Sequence, residues 1–182
     1  MAKKASKKGS GDDSGETEAE TPAPAAAPEA GAPPAMAINI NAQYIKDLSF
    51  EAPSAPGIFT ALQAASPDIN VNINVNVERV QENSFEVVLE IRADCKVKEQ
   101  TAFILELEYA GVFTLTAPDE HIQPILLIEC PRLLFPFARN ILADVSRDGG
   151  FPPLFLGMVD FAGMYQRKLQ ELQQAGGAGA NA

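Results

Sequence analysis

The chain has 182 residues, with 14 Lys and Arg against 24 Asp and Glu, and a formal net charge of −10. Such an acidic chain repels phosphate backbones, which argues against nucleic acid as a partner and is compatible with a basic protein partner. Two cysteines and one histidine are too few for a four-ligand zinc site within one chain.

Residues 1–37 combine Lys3, Lys4, Lys7 and Lys8 with Asp12, Asp13, Glu16, Glu18 and Glu20, followed by an Ala/Pro run. Almost no side chain there is apolar and larger than Ala, so burial cannot offset chain entropy and a disordered N-terminal extension is expected. The segment lacks the apolar central run of a signal peptide, and no stretch reaches the length of a membrane span. Residues 38–172 are expected to form one domain around one core, and the Gly/Ala-rich residues 173–182 a flexible tail. Without an export signal a reducing compartment is the default, so Cys95 and Cys130, both in apolar runs, read as inert core thiols.

Residues 38–51 alternate. Ile38, Ile40, Ala42, Tyr44, Leu48 and Phe50 share one face of a half-buried strand, interrupted by Lys46. Asn39, Asn41, Gln43, Asp47, Ser49 and Glu51 share the other, interrupted by Ile45. Residues 52–57 are a Pro/Gly loop, which runs on through Ile58, Phe59 and Leu62 to Pro67 without clear periodicity. Residues 69–77 form the cleanest strand pattern, with Ile69, Val71, Ile73, Val75 and Val77 against Asn70, Asn72, Asn74 and Asn76. A turn at residues 82–84 leads into a strand over 85–97. A second turn near Lys98 and Glu99 leads into a strand over 101–109, a bend or bulge at Gly111, and an extended continuation over 112–116. Connections this short predict an antiparallel sheet.

After Pro118 the pattern turns helical, with Pro124 and Pro131 expected to break or kink it. Residues 133–145 form a helix whose face at Leu134, Phe137/Ala138, Ile141 and Val145 is widened by Leu133, Phe135 and Leu142. Gly149 and Gly150 end it, and Pro152 and Pro153 prevent a restart. Residues 160–173 predict a last helix. One sheet and two helices cannot cover both the wide face of residues 133–145 and the stripe of the last helix, so assembly is expected.

The chemistry of an enzyme is not evident. There is no Gly-rich phosphate loop, nucleophile elbow or HExxH motif, and His121 has no nucleophile near it in sequence. Glu106 and Glu108, two apart on a strand, read as a solvated sheet face. The amide ladder of Asn70, Asn72, Asn74 and Asn76 has groups that bind sugars or amide-rich peptides, but its plainer reading is again a solvated face.

Four segments, YIKDLSFEAPSAPGIF (44–59), FEVVLEI (85–91), EQTAFILELEYAGVFTL (99–115) and ECPRLLFPFARN…GGFPPLFLGMVDFAGMY (129–165), are similar to those of the SecB family of preprotein-export chaperones. The resemblance covers nearly all of residues 38–172. It implies an α+β fold, with a four-stranded antiparallel sheet carrying two helices on one face of each subunit. Subunits pair into eight-stranded dimers, and the dimers pack through their helices into a homotetramer. The implied function is that of a cytoplasmic holdase without ATP or other cofactor. It binds unfolded precursor proteins and delivers them to the motor ATPase SecA for export across the inner membrane.

Carried over position by position, the SecA contacts match Asp47, Glu51, Val97 and Glu99. The second-strand positions of the client groove match Ile69, Val71 and Ile73, with Phe59, Leu62, Phe151, Met158, Phe161 and Met164 added by residue type. Leu133, Leu134, Phe137 and Ile141 fall to the dimer–dimer contact. Many relatives carry a Trp after the Phe59 position, and this chain has none. Two other readings stay open: a holdase of the same fold in a stress or toxin–antitoxin system, and a passive oligomer binding a small apolar ligand between sheet and helix.

Overall fold

The structure is a computed structural model that describes residues 36–178, with side chains to Gln174. The expectations for residues 1–35 and 179–182 lie outside the described residues.

Four antiparallel strands form one sheet in the order β1-β4-β3-β2. They are β1 (Ala37–Glu51), β2 (Asp68–Gln81), β3 (Ser84–Val97) and β4 (Gln100–Thr116). The central pair β3 and β4 supplies the core, because Val87, Leu89, Ile91, Ala93 and Cys95 on β3 and Phe103, Leu105, Leu107 and Phe113 on β4 are all buried on the helix-covered face. The edge strands β1 and β2 stay largely exposed.

Two bulges in β1, between Ile40 and Ala42 and between Ile45 and Asp47, shift its register against β4. Each inserts one residue and so reverses which side chains face the helices. Ile38 and Ile40 therefore face inward, Gln43 and Ile45 take over that face, and Leu48 and Phe50 resume it. This explains the sequence interruptions at Ile45 and Lys46, and it corrects the placement of Tyr44. Tyr44 turns to the outer face, where its hydroxyl donates to the carboxylate of Glu86, which also pairs with Lys46 Nζ at 2.7 Å. Glu86 is nearly buried, and the Lys46 and then the Tyr44 hydrogen bonds hold its carboxyl below the usual range.

The loop after β1 contains an element that periodicity did not reveal, helix α1 (Ile58–Ala64), which buries Ile58. From Pro118 onward the chain is helical without a break: α2 (Asp119–Pro124), a single π-turn (Ile125–Glu129), then α3 (Cys130–Asp148). Neither Pro124 nor Pro131 breaks the helix, and the irregularity between them is the π-turn. The π-turn bonds Cys130 N–H to Ile125 O, five residues back, and Pro131 falls in the first turn of α3, where no intrahelical N–H is required. The buried line of α3 is Cys130, Leu134, Ala138, Leu142 and Ser146, with Pro131, Phe135 and Ala143 beside it. It lies about one residue off the predicted face, leaving Phe137 exposed and Ile141 and Val145 half-buried.

Gly111 is not at a bend, since β4 runs straight through it. A Cβ there would sit 2.7 Å from Leu134 Cδ2, so the missing side chain lets α3 approach the sheet. Helix α3 ends in a Schellman turn. Gly150 adopts φ +88°, Gly150 N–H donates to Arg147 O at 3.0 Å, and Phe151 N–H donates to Ser146 O at 3.1 Å. Ser146 Oγ then accepts the N–H of Leu154 at 2.8 Å, fastening the following segment to the helix. Residues 152–160 are an irregular strap, and α4 (Phe161–Ala178) packs against the π-turn. Helix α4 runs on to Ala178, past the helix end expected at Gln173.

Four phenylalanines from distant segments meet where α3 ends. Phe151 lies 5.0 Å from Phe103, 5.2 Å from Phe59 and 6.0 Å from Phe50, ring centre to ring centre, and Phe50 stacks on Phe103 at 5.6 Å. Gly149 abuts the Phe50 ring so closely that a Cβ would overlap it. We predict that Gly149→Ala displaces Phe50 and costs about 1–3 kcal/mol. Thermal unfolding followed by circular dichroism should show this as a Tm lowered by roughly 3–10 °C; an unchanged Tm would show that the ring cluster does not hold the turn.

Candidate functional site

The cluster around Phe151 positions an apolar trench along β2, an edge strand with a strand partner on one side only. At one end of β2, Leu62, Pro67, Ile69, Cys95, Phe103 and the strap residues 151–155 enclose a hollow of about 310 Å³. At the other end, Asn74, Val75, Leu127, Met164, Tyr165 and the Arg167–Lys168 turn of α4 line a second of about 280 Å³. Val71 and Ile73 lie between them on the same strand face and are half-buried. In the strap, Leu154 and Leu156 point into the core while Phe155 is 68% and Met158 94% exposed. Large apolar side chains this exposed beside an apolar hollow mark a surface that awaits a partner.

Of the client-groove residues expected from sequence, Leu62, Ile69 and Phe151 meet in the first hollow and Met164 lies in the second. Phe59, 37% exposed, packs on Phe151 at the rim. Met158 stands on the strap outside both hollows. Phe161 is different: it is 2% exposed and packs edge-on against Phe135 at 5.9 Å, a core contact. Sequence reasoning missed Phe155, Tyr165 and Leu127. The signal for Phe155 was the apolar run Leu154-Phe155-Leu156 directly after Pro152 and Pro153.

The outer face of the sheet is a second surface of opposite character. Its rows run across the strands: Asp47 opposite Glu108, Glu108 opposite Glu90, and Glu90 opposite Asn74. The adjacent row holds Ser49, Glu106, Arg92 and Asn72. All of these but Ser49 line a shallow basin of about 470 Å³ with four carboxylates against one guanidinium. Arg92 is already engaged by Asp94 at 2.9 Å and by Glu106. Asp47 and Glu51 are exposed on this face as expected, and Glu99 is exposed in the β3–β4 turn. Val97 is 1% exposed, because its side chain points into the core, so it is not a surface contact within this subunit.

The expected dimer–dimer residues also divide. Leu133 and Phe137 are 40% and 52% exposed on the solvent side of α3, and Ile141 continues the stripe half-buried. Leu134 is fully buried against Gly111 and belongs to the subunit's own core.

Burial, with Glu129 alongside, pushes the Cys130 thiol up to about 12, and burial raises that of Cys95. Both thiols are therefore protonated and poorly nucleophilic. His121 is exposed, 3.4 Å from Glu120. Among the described residues no His/Cys/Asp/Glu group can hold a metal ion, and no helix is long and apolar enough to cross a membrane.

The family model described as preprotein translocase subunit SecB matches residues 31–172. The chain belongs to the SecB family. It is 53% identical over 135 residues to the protein-export protein SecB of Paramagnetospirillum magneticum, covering 74% of this chain and 87% of that one. It is likewise 53% identical over 139 residues to the SecB of Rhodospirillum rubrum, covering 76% and 86%. Among solved structures it is similar to the SecB-like chaperone of Mycobacterium tuberculosis in complex with a ChAD peptide from the HigA1 antitoxin. That likeness has a TM-score of 0.53 at 16% identity, over 68% of this chain and 91% of that one. At that identity it shows a shared SecB-like fold.

Proposed function

We propose that this chain is a cytoplasmic, ATP-independent holdase that binds unfolded precursor proteins along the β2 trench and hands them to SecA for export. The observation that carries the reading is the trench itself, with exposed Phe155 on its wall beside Ile69 of the apolar edge strand and Met158 exposed further along the strap. A holdase must accept many sequences, so it relies on apolar burial and backbone pairing rather than on a shaped pocket. Met and Phe suit this, because they adapt to varied partners. Burying about 1,000 Å² of apolar client surface is worth on the order of 25 kcal/mol gross. Ordering a flexible client consumes much of that, which leaves binding reversible.

The outer face, with Asp47, Glu51 and Glu99, is the surface for a basic segment of the motor. Charge complementarity there favours fast encounter and specificity. The stripe Leu133, Phe137 and Ile141 is the contact through which two eight-stranded dimers form the homotetramer, and a second copy of the same stripe covers its apolar width. The toxin–antitoxin reading draws on the antitoxin peptide held by the mycobacterial SecB-like chaperone. The protein-export relatives at 53% identity favour export instead. Two open hollows along a strand edge suit an extended chain better than an enclosed small ligand.

Three tests follow from these assignments. Phe155→Ser with Met158→Ser should weaken suppression of aggregation of a reduced, unfolded test protein about tenfold or more, since each truncation removes roughly 1–2 kcal/mol of apolar burial; undiminished suppression would move the client site elsewhere. Asp47→Lys with Glu51→Lys should abolish capture of SecA in a pull-down while leaving client binding in place, and intact capture would refute the acidic-face assignment. Light scattering of Phe137→Asp should give dimers where the parent chain gives tetramers; a tetrameric variant would remove this stripe from the interface.

A further inference from the structure

The two hollows along β2 differ in charge. The first is lined by aliphatic and aromatic side chains, prolines and the Cys95 thiol, with no charged group. The second has apolar walls in Val75, Leu127 and Met164, but Arg167 and Lys168 stand at its rim. Both cations are exposed, and among the described residues neither has an ion-pair partner. By contrast, Arg132 of α3 pairs with Glu129 at 2.8 Å and Arg147 with Asp144 at 3.0 Å. Glu171, one turn further along α4, lines the same hollow, so two cations face one carboxylate there. In a chain of net charge −10, this is a local reversal of the field that a partner meets.

The spacing of the hollows is set by β2. Ile69 lies in the first and Val75 in the second, six residues apart on the same face of the strand. Six residues rise about 20 Å. A client laid extended along this edge advances at the same rate, so its residues i and i+6 reach the two hollows from the same side. A charged client residue entering the first hollow would lose its hydration with nothing to pair with. A client carboxylate beside the second meets Arg167 and Lys168, whereas a client lysine meets like charge. We propose that the trench selects client segments with a large apolar residue at one position and, six residues away, a second one flanked by Asp or Glu, and that Arg167 and Lys168 are the residues that determine this specificity. The assignment rests on the trench being the client site.

The test uses the full chain and labelled, Ser/Thr-rich peptides with two Phe residues six apart. Two isomeric peptides carry a single Asp, either next to one Phe or midway between both. Their net charge is the same, so repulsion from the acidic chain as a whole cancels in the comparison. An extended peptide can enter in whichever direction brings its flanked Phe to the second hollow. In about 0.1 M salt, where the Debye length is about 10 Å, only near charges discriminate. Fluorescence anisotropy should then show the flanked isomer binding about three- to tenfold more tightly than the midway isomer, the effect of two exposed ion pairs. With Arg167→Gln and Lys168→Gln, both on the surface of α4, the isomers should bind alike. A peptide with its Phe residues three apart should bind the parent chain about tenfold more weakly, because only one ring reaches a hollow. Equal affinities of the isomers for the parent chain, a difference that survives in the variant, indifference to the spacing, or no saturable binding would each overturn the proposal. Phe155→Ser separates it from the client reading beneath it. If that change weakens both isomers while the parent chain binds them alike, the specificity falls and the client site stands. If it weakens neither, the client site and the specificity fall together.

Discussion

Phe151 is the residue on which the apolar side of this molecule depends. It follows the left-handed Gly150 that ends α3, and its ring contacts those of Phe50, Phe59 and Phe103. These contacts tie the end of β1, helix α1, strand β4 and the strap to one point. Aromatic pairs of this kind contribute about 0.5–1.5 kcal/mol each beyond their buried area. The fixed start of the strap, reinforced by Ser146 accepting the Leu154 N–H, sends residues 152–160 out beside β2 with alternate side chains in and out. Without that anchor, Phe155 and Met158 would have no defined place relative to the strand edge.

The sheet separates two surfaces of opposite character. One face is covered by α3 at a distance set by Gly111, and where that cover stops, at the β2 edge, apolar surface is left open. The other face carries carboxylates and amides in cross-strand rows, with little apolar area to bury. An unfolded chain is held chiefly by apolar surface, and a basic folded or tethered segment by charge. On the proposed reading, surfaces on opposite sides of two central strands would let client and motor be bound at once.

Much of this could be read from the residues. The alternation of β2, β3 and β4 is clear because each strand has one consistently covered face. In β1 it blurred, and Ile45 and Lys46, read as interruptions, were the trace of a bulge that reversed the strand's faces. Helix α1 escaped notice because seven residues beside Pro and Gly carry too little period to register. The continuous helix through Pro124 and Pro131 depends on a π-turn, a hydrogen-bond choice that side-chain pattern does not encode. Val97, Leu134 and Phe161 were placed at surfaces and lie in the core, since apolar identity and spacing alone do not distinguish a groove wall from the packing behind it. The carboxylate row across β1, β4 and β3 needed cross-strand register, which no single segment contains.

The most direct test of the central claim is site-specific photo-cross-linking of a reduced, unfolded client. A photoreactive residue would be placed in turn at Phe155 and Tyr165, bordering the trench, and at Ser49 and Asn72, on the outer face. The account predicts client adducts from the trench positions and few from Ser49 or Asn72. Adducts mainly from Ser49 and Asn72 would contradict it, because the client would then lie on the amide and carboxylate face and the trench would need another explanation.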